Sequence, residues 1–336
     1  MKELIKKLVE AYGPSGREES VRALITELVH PHVDELRTDA LGNLIALKKG
    51  SALPGGRRGR RVMVAAHMDE LGVIITHVDK KGFLRFNTIG GVFMPTLVGS
   101  RVVFANGAVG VIGWEKWLKG GDHHPAMPEL FIDVGATSPA DAPVGVGDVA
   151  CFMRSFSDLG ARLTSKAMDD RIGCAVGVQA LLELEGSPHD IYFVFTTQEE
   201  VGVRGALVSA YGIEPEVGLA LDVTDTGDTP EATPMAVELG GGPAIKVMDS
   251  GAITHPAVKA WMIETAVRLE LRYQLEVLPF GATDAMAIQR SRAGIPAGCL
   301  SVPCRYIHTP SEMVDYADVQ GAVRLLVGLL SAEITF

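Results

Sequence analysis

A chain of 336 residues with 47% hydrophobic content can fill one large domain or two of ordinary size around a substantial core. A net charge of −10 argues against a nucleic-acid partner, which would require clustered lysine and arginine. No apolar run approaches the ~20 residues that cross a bilayer. The N-terminal MKELIKKLVEAYGPSG alternates charged and apolar residues instead of forming a signal sequence, so a cytoplasmic protein without a membrane partner is expected.

Cys151, Cys174, Cys299 and Cys304 form no CxxC pair and lie in or beside apolar segments, which predicts buried reduced thiols. Arg57, Arg58, Arg60 and Arg61, spaced by glycines before a strand, read as a solvated loop.

Along the chain, Leu4, Ile5, Leu8 and Val9 mark one amphipathic helix that stops at Gly13 and Pro14. Val21, Leu24, Ile25, Leu28 and Val29 mark a second, and the strands NLIALK and RVMVAA follow. From Gly72 to about Gly160 short β-branched runs alternate with Gly, Pro and Asn turns, the texture of a small antiparallel barrel or sandwich. Helix and strand then alternate. Helices are predicted from about Arg171 to Glu185, Pro256 to Leu271, Asp284 to Ser291 and Gly321 to Leu330. Strands are predicted at Ile191 to Thr196, Val217 to Leu221, QLEVL and AGCLSV. The reading is an α/β domain interrupted by an inserted β domain.

The chemistry-bearing residues follow apolar runs. RVMVAAHMDE ends in His67 and Asp69, IYFVFTTQEE in Glu199 and Glu200, VGLALDV in Asp222 and CLSVPCRYIH in His308. Asp169 and Asp170 stand at the mouth of an apolar helix, where the dipole favours an anion. In open α/β sheets the ligand crevice lies beyond the carboxyl ends of the strands, so such remote residues converge. His67 and Asp69 share a strand face, so that Asp69 can accept from the imidazole nitrogen not used for a metal. Two adjacent buried carboxylates repel unless a cation compensates them, and a divalent ion lets one ligate while the other remains a base. His67, Asp169, Glu200, Asp222 and His308 form a nitrogen and oxygen donor set without cysteine, suited to zinc, cobalt or manganese. If one carboxylate bridges two metals, each ion receives three side chains, and such a pair can ionise a water and polarise a carbonyl. This is the profile of a metal-dependent hydrolase.

The stretches AYGPSGREE, DALGNLIAL, AAHMDELGVII, LFIDVGATS, VGVGDVA, SKAMDDRIGC, TTQEEVGVRGA, ALDV, FGATDA and RYIHTPSEMVD span nearly the whole chain. In them the sequence resembles the TET-type, glutamyl aminopeptidase-like metallopeptidases. The resemblance implies a zinc-peptidase-like, mixed-sheet α/β catalytic domain over residues 1–70 and 161–336, with a β-barrel dimerisation domain at 71–160. It makes Asp169 a bridging carboxylate between two divalent ions, places His67 and Asp222 on one and Glu200 and His308 on the other, and implies a cis peptide after Asp169. Glu199 becomes the general base and Asp69 the residue that orients His67. Relatives form hollow tetrahedral dodecamers, so the same assembly is expected here, acting on short peptides with free N-termini.

A glycoside hydrolase could also use two carboxylates, but 3 Trp and 6 Tyr supply few stacking platforms for sugar rings. A non-catalytic metal-binding scaffold would have no need of Glu199. The cations nearest the motifs are Lys166, Arg171, Arg204 and Arg305, each able to pair with structural carboxylates. Met286 in GATDAM is apolar and adaptable. Neutral first residues such as leucine or methionine are therefore expected over glutamate.

Overall fold

The computed structural model describes residues 1–51, 58–115 and 124–336. Helices α1 (Lys2–Glu10) and α2 (Glu19–Val29) lead into β1 (Glu35–Thr38), β2 (Leu44–Lys48) and β3 (Arg61–His67). Next come β4 (Gly72–Val78), β5 (Leu84–Ile89), β6 (Arg101–Phe104), β7 (Val109–Trp114), β8 (Leu130–Asp133) and β9 (Val149–Phe152). The chain continues through β10 (Ser157–Asp158), β11 (Arg162–Ser165), α3 (Met168–Glu183), β12 (Asp190–Thr196), α4 (Arg204–Ile213), β13 (Val217–Thr224) and β14 (Ala244–Met248). It ends with α5 (Pro256–Arg268), β15 (Gln274–Val277), α6 (Asp284–Gln289), β16 (Ala297–Arg305), β17 (Glu312–Asp315) and α7 (Tyr316–Leu330).

Eleven strands make one mixed sheet in the order β1-β2-β12-β3-β13-β16-β17-β11-β10, with β14 on β16 and β15 on β14. The central strands β12, β3, β13 and β16 run parallel. Alternation along β3 explains its burial on both faces: Val62, Val64 and Ala66 join the cluster under α1, α3 and α7, whereas Met63 and Ala65 pack with Ala210 of α4 and Ile288 of α6. The carboxyl ends of these parallel strands lie side by side, so their following residues meet there.

The segment between β3 and β10 forms a separate closed barrel, β4-β5-β8-β7-β6-β9. Alternate residues such as Val73 and Ile75, Leu84 and Phe86, Val102 and Phe104 fill it, and closure leaves no open sheet edge. Its β5 end returns to the parent domain. A Cβ at Gly90 would stand 3.3 Å from Glu200 Cβ, and one at Gly91 would stand 3.1 Å from His308 Nδ1, so the barrel's backbone packs closely against these residues.

Some elements differ from the sequence expectation. The helix α7 starts at Tyr316 rather than Gly321, because Asp315 caps it by accepting the Ala317 N–H at 2.7 Å. The helix α4 was not expected: its Leu207, Val208 and Tyr211 are exposed, which blurs an amphipathic period. The strand β14 has no clear signal in the sequence because Lys246 interrupts its apolar run. Arg58 pairs with Asp190 at 3.1 Å and Arg60 stacks on the Phe336 ring, so these two have structural partners, while Arg57 lies outside the described residues. All four cysteines are free and buried. Among the described residues no helix is long and apolar enough to cross a membrane.

Candidate active site

Strand β3 delivers His67 at its last residue, and Asp169 opens α3 beside it, with His67 Nε2 2.9 Å from Asp169 Oδ1. The Asp169–Asp170 peptide is cis. Asp222 lies within β13, which runs on to Thr224 instead of ending at the apolar run. Glu199 and Glu200 occupy the turn after β12. His308 follows β16, and its Nε2 stands 3.5 Å from both Asp169 Oδ2 and Glu200 Oε2. Two triads result, His67 with Asp169 and Asp222, and Asp169 with Glu200 and His308, in each of which the donor atoms lie within 4.8 Å of one another. Asp169 belongs to both.

Asp69 is placed differently from its expected position on a shared strand face. The strand β3 ends at His67, the chain turns, and the nearer partner of His67 Nδ1 is the Asp69 carbonyl at 3.1 Å, with the carboxylate at 3.4 Å. That carboxylate instead accepts from Ser15 Oγ at 2.6 Å, Glu199 N at 2.9 Å and Glu200 N at 3.2 Å. It therefore fixes the acidic turn as well as the histidine.

The electrostatics of the cluster call for positive charge. Burial, reinforced by Asp169, holds the Glu200 and Asp222 carboxyls well above their usual range, and burial does the same to Glu199. For His67 burial pulls the imidazole down, but Asp169 and Asp69 outweigh it and the ring is pushed well up. Glu200 Oε1 is buried without a hydrogen-bond partner. Packed acids with an orphaned oxygen and two imidazole nitrogens fit divalent cations, which would compensate the charge and occupy the free lone pairs.

A family model described as M42 glutamyl aminopeptidase matches residues 42–325. The chain belongs to this family. It is similar to a putative aminopeptidase of Acetivibrio thermocellus, with 47% identity over 97% of both chains. Among solved structures, an aminopeptidase of the archaeon Desulfurococcus kamchatkensis superposes with TM-score 0.94 at 43% identity, covering 98% of this chain and 94% of that one. The Pyrococcus horikoshii TET1 peptidase, described as assembling into a tetrahedron or a large octahedral shell, gives TM-score 0.86 at 32% identity, with 98% and 99% covered. Aminopeptidases of the M42 family are metal-dependent hydrolases of peptide bonds, in keeping with the donor set above.

Several residues that support this M42 site were not singled out from the sequence. Glu312 accepts the main-chain N–H groups of both Asp169 and His308, each at 3.0 Å, tying two donors to one buried carboxylate. Its only sequence signal is an acid opening the short strand β17, which a second acid, Asp315, closes. Glu18 accepts from Gln198 N at 3.1 Å, and Asp170, noted in the sequence only as the neighbour of Asp169, accepts from His67 N at 3.2 Å. Asp225, in the loop after β13, lines the cavity with the site residues.

Beneath the site Glu70, 2% exposed, receives Lys166 Nζ at 2.6 Å and Arg171 Nη2 at 3.4 Å. Arg171 also donates to the carbonyls of Leu8, Gly13 and Met68, which binds α1, the turn after β3 and α3 together. Glu70→Ala would leave two buried cations under-compensated, and a loss of about 3–5 kcal/mol of unfolding free energy is expected in a denaturant titration. A change below about 0.5 kcal/mol, the range of ordinary surface substitutions, would rule out a pinning role for the cluster.

A cavity of about 390 Å³ opens beside the donors, lined among others by Glu199, Val223, Leu278, Phe280, Met286 and Ile307. Of the cations expected near the motifs none lines it: Lys166 and Arg171 bind Glu70, Arg204 reaches Gln198, and Arg305 pairs with Asp228 at 2.7 Å. The lysine that does line it is Lys246.

Proposed function

We propose that the chain removes N-terminal residues from short peptides with free N-termini, using two divalent ions, zinc or cobalt with manganese as the third candidate. The observation that carries this reading is the shared Asp169 between two histidine-containing triads beside Glu199 and the cavity. His67, Asp169 and Asp222 would hold one ion, and Asp169, Glu200 and His308 the other. When bound, the ions supply Lewis-acid polarisation of the scissile carbonyl and lower the pKa of water.

The chain's own groups do the rest. Glu199 takes a proton from the attacking water on its carboxylate and passes it to the leaving amine. Asp69 holds the Glu199 and Glu200 main chain, so the base and the donor keep a fixed separation. Asp225, half-buried in the cavity lining and without a hydrogen bond from any described residue, offers negative charge to the substrate ammonium. The walls Val223, Leu278, Phe280, Met286 and Ile307 suit an apolar first side chain, so leucyl and methionyl substrates are expected over glutamyl ones. Chelation should abolish hydrolysis of a leucyl reporter and add-back of zinc, cobalt or manganese should restore it. No restoration with any of the three would defeat the metallopeptidase mechanism, whereas a glutamyl preference of about tenfold or more in kcat/KM would reverse the substrate assignment.

We also propose that residues 1–70 and 161–336 form the catalytic unit, that the barrel within 71–160 pairs two copies, and that pairs build a tetrahedral dodecamer in the cytoplasm. Exposed Phe93, Val109, Val111 and Val146 give this segment an apolar surface able to be covered by a second copy. Light scattering should report a species of dimer size or a multiple of it. A monomer at micromolar concentration would contradict the assignment.

A further inference from the structure

Lys246 is a buried cation on the wall of a cavity that Leu278, Phe280, Met286 and Ile307 also line. Its side chain is 3% exposed, and it stands opposite Glu276 in the parallel pairing of β14 with β15, where Nζ is ion-paired with Glu276 Oε1. Asp249 Oδ2 lies 3.8 Å from the same Nζ. Both carboxylates are fully buried, and Glu276 Oε2 and Asp249 Oδ2 have no hydrogen-bond partner. One ammonium therefore faces two carboxylates in a buried compartment. An ammonium taken out of water needs such compensation, but one acid is enough to supply it. The second acid leaves the compartment with an excess of negative charge.

The compartment is continuous with the cavity wall. Asp249 Oδ1 accepts from Gly251 N at 2.8 Å and Ala252 N at 2.6 Å, shaping the turn after β14. A Cβ at Gly251 would stand 2.7 Å from Met286 Sδ and 2.8 Å from Ala282 Cβ, so this turn packs directly behind two cavity residues. Lys246 is thus close enough to the cavity to act on its occupant, while Glu276 and Asp249 cancel its attraction for an anion.

We propose that Glu276, together with Asp249, masks Lys246 and thereby sets the side-chain specificity of the cavity against acidic residues. This rests on the reading above that the cavity receives the first residue of the substrate. With Glu276 neutralised, the Lys246 ammonium becomes a receptor for a substrate carboxylate at short range, where charge complementarity discriminates strongly.

The test compares wild type with Glu276→Gln, Asp249→Asn and the double variant Lys246→Met/Glu276→Gln, all metal-loaded. Two readouts are taken: calorimetric binding of free L-glutamate and L-leucine, and kcat/KM on glutamyl and leucyl reporters. Glu276→Gln is expected to raise the glutamate-to-leucine ratio about tenfold in both readouts, with Asp249→Asn moving it the same way by less. Adding Lys246→Met should return the ratio to the wild-type value. If circular dichroism shows either single variant folded and neither ratio moves in it, the masking proposal is overturned. A rise in glutamate binding with no reporter hydrolysed by any form would uphold the masking and bring down the aminopeptidase reading instead.

Discussion

Glu199→Gln is expected to lower turnover of a leucyl reporter by about 10²–10⁴-fold while both metals remain bound. The amide preserves size but cannot accept the proton from the attacking water. The local structure should survive because Asp69 holds residue 199 through its main-chain N–H at 2.9 Å, a bond that the substitution leaves in place. The carboxylate itself takes no hydrogen bond from the described residues, so no buried donor is orphaned by its loss. Elemental analysis and a single-turnover assay decide the matter together. Wild-type turnover would remove Glu199 from the base role, and the loss of one metal would show that Glu199 and Glu200 have been interchanged.

The adjacent glutamates also show how far sequence reaches here. That both stand after a buried strand was readable from IYFVFTTQEE, because an apolar run long enough for a central strand must place its polar successors at the sheet's edge. Which of the two faces the other acids was not readable, since the turn after β12 has no fixed period. In the structure both glutamates line the cavity, and Glu200 stands 3.5 Å from His308. The barrel was legible from the spacing of its short strands and turn residues. The residues that brace the donors were not, because Ser15, Glu18 and Glu312 act through hydrogen bonds across 54, 180 and 143 positions of chain and carry no local pattern. Lys246 was hidden for a related reason. A lysine inside an apolar run argues against a buried strand, and it is the pairing of β14 with β15 that brings Glu276 to it across 30 positions of chain.

Asp169→Ala is expected to damage the site more than any other single ligand change, because Asp169 alone belongs to both triads. Its two oxygens divide the work, Oδ1 lying 2.9 Å from His67 Nε2 and Oδ2 3.5 Å from His308 Nε2. Removing them would strip a donor from each ion and leave the two cations without an anion between them, so metal content should fall at both positions. The affinity loss should exceed the ~10–100-fold typical of an outer-shell partner. His308→Ala, by contrast, should spare the ion held by His67, Asp169 and Asp222. Glu312 still ties the main chain of residue 169 through a 3.0 Å bond to its N–H, so the start of α3 should stay in place and circular dichroism should remain close to wild type. Elemental analysis of folded Asp169→Ala that finds one metal at full occupancy would exclude the bridging role.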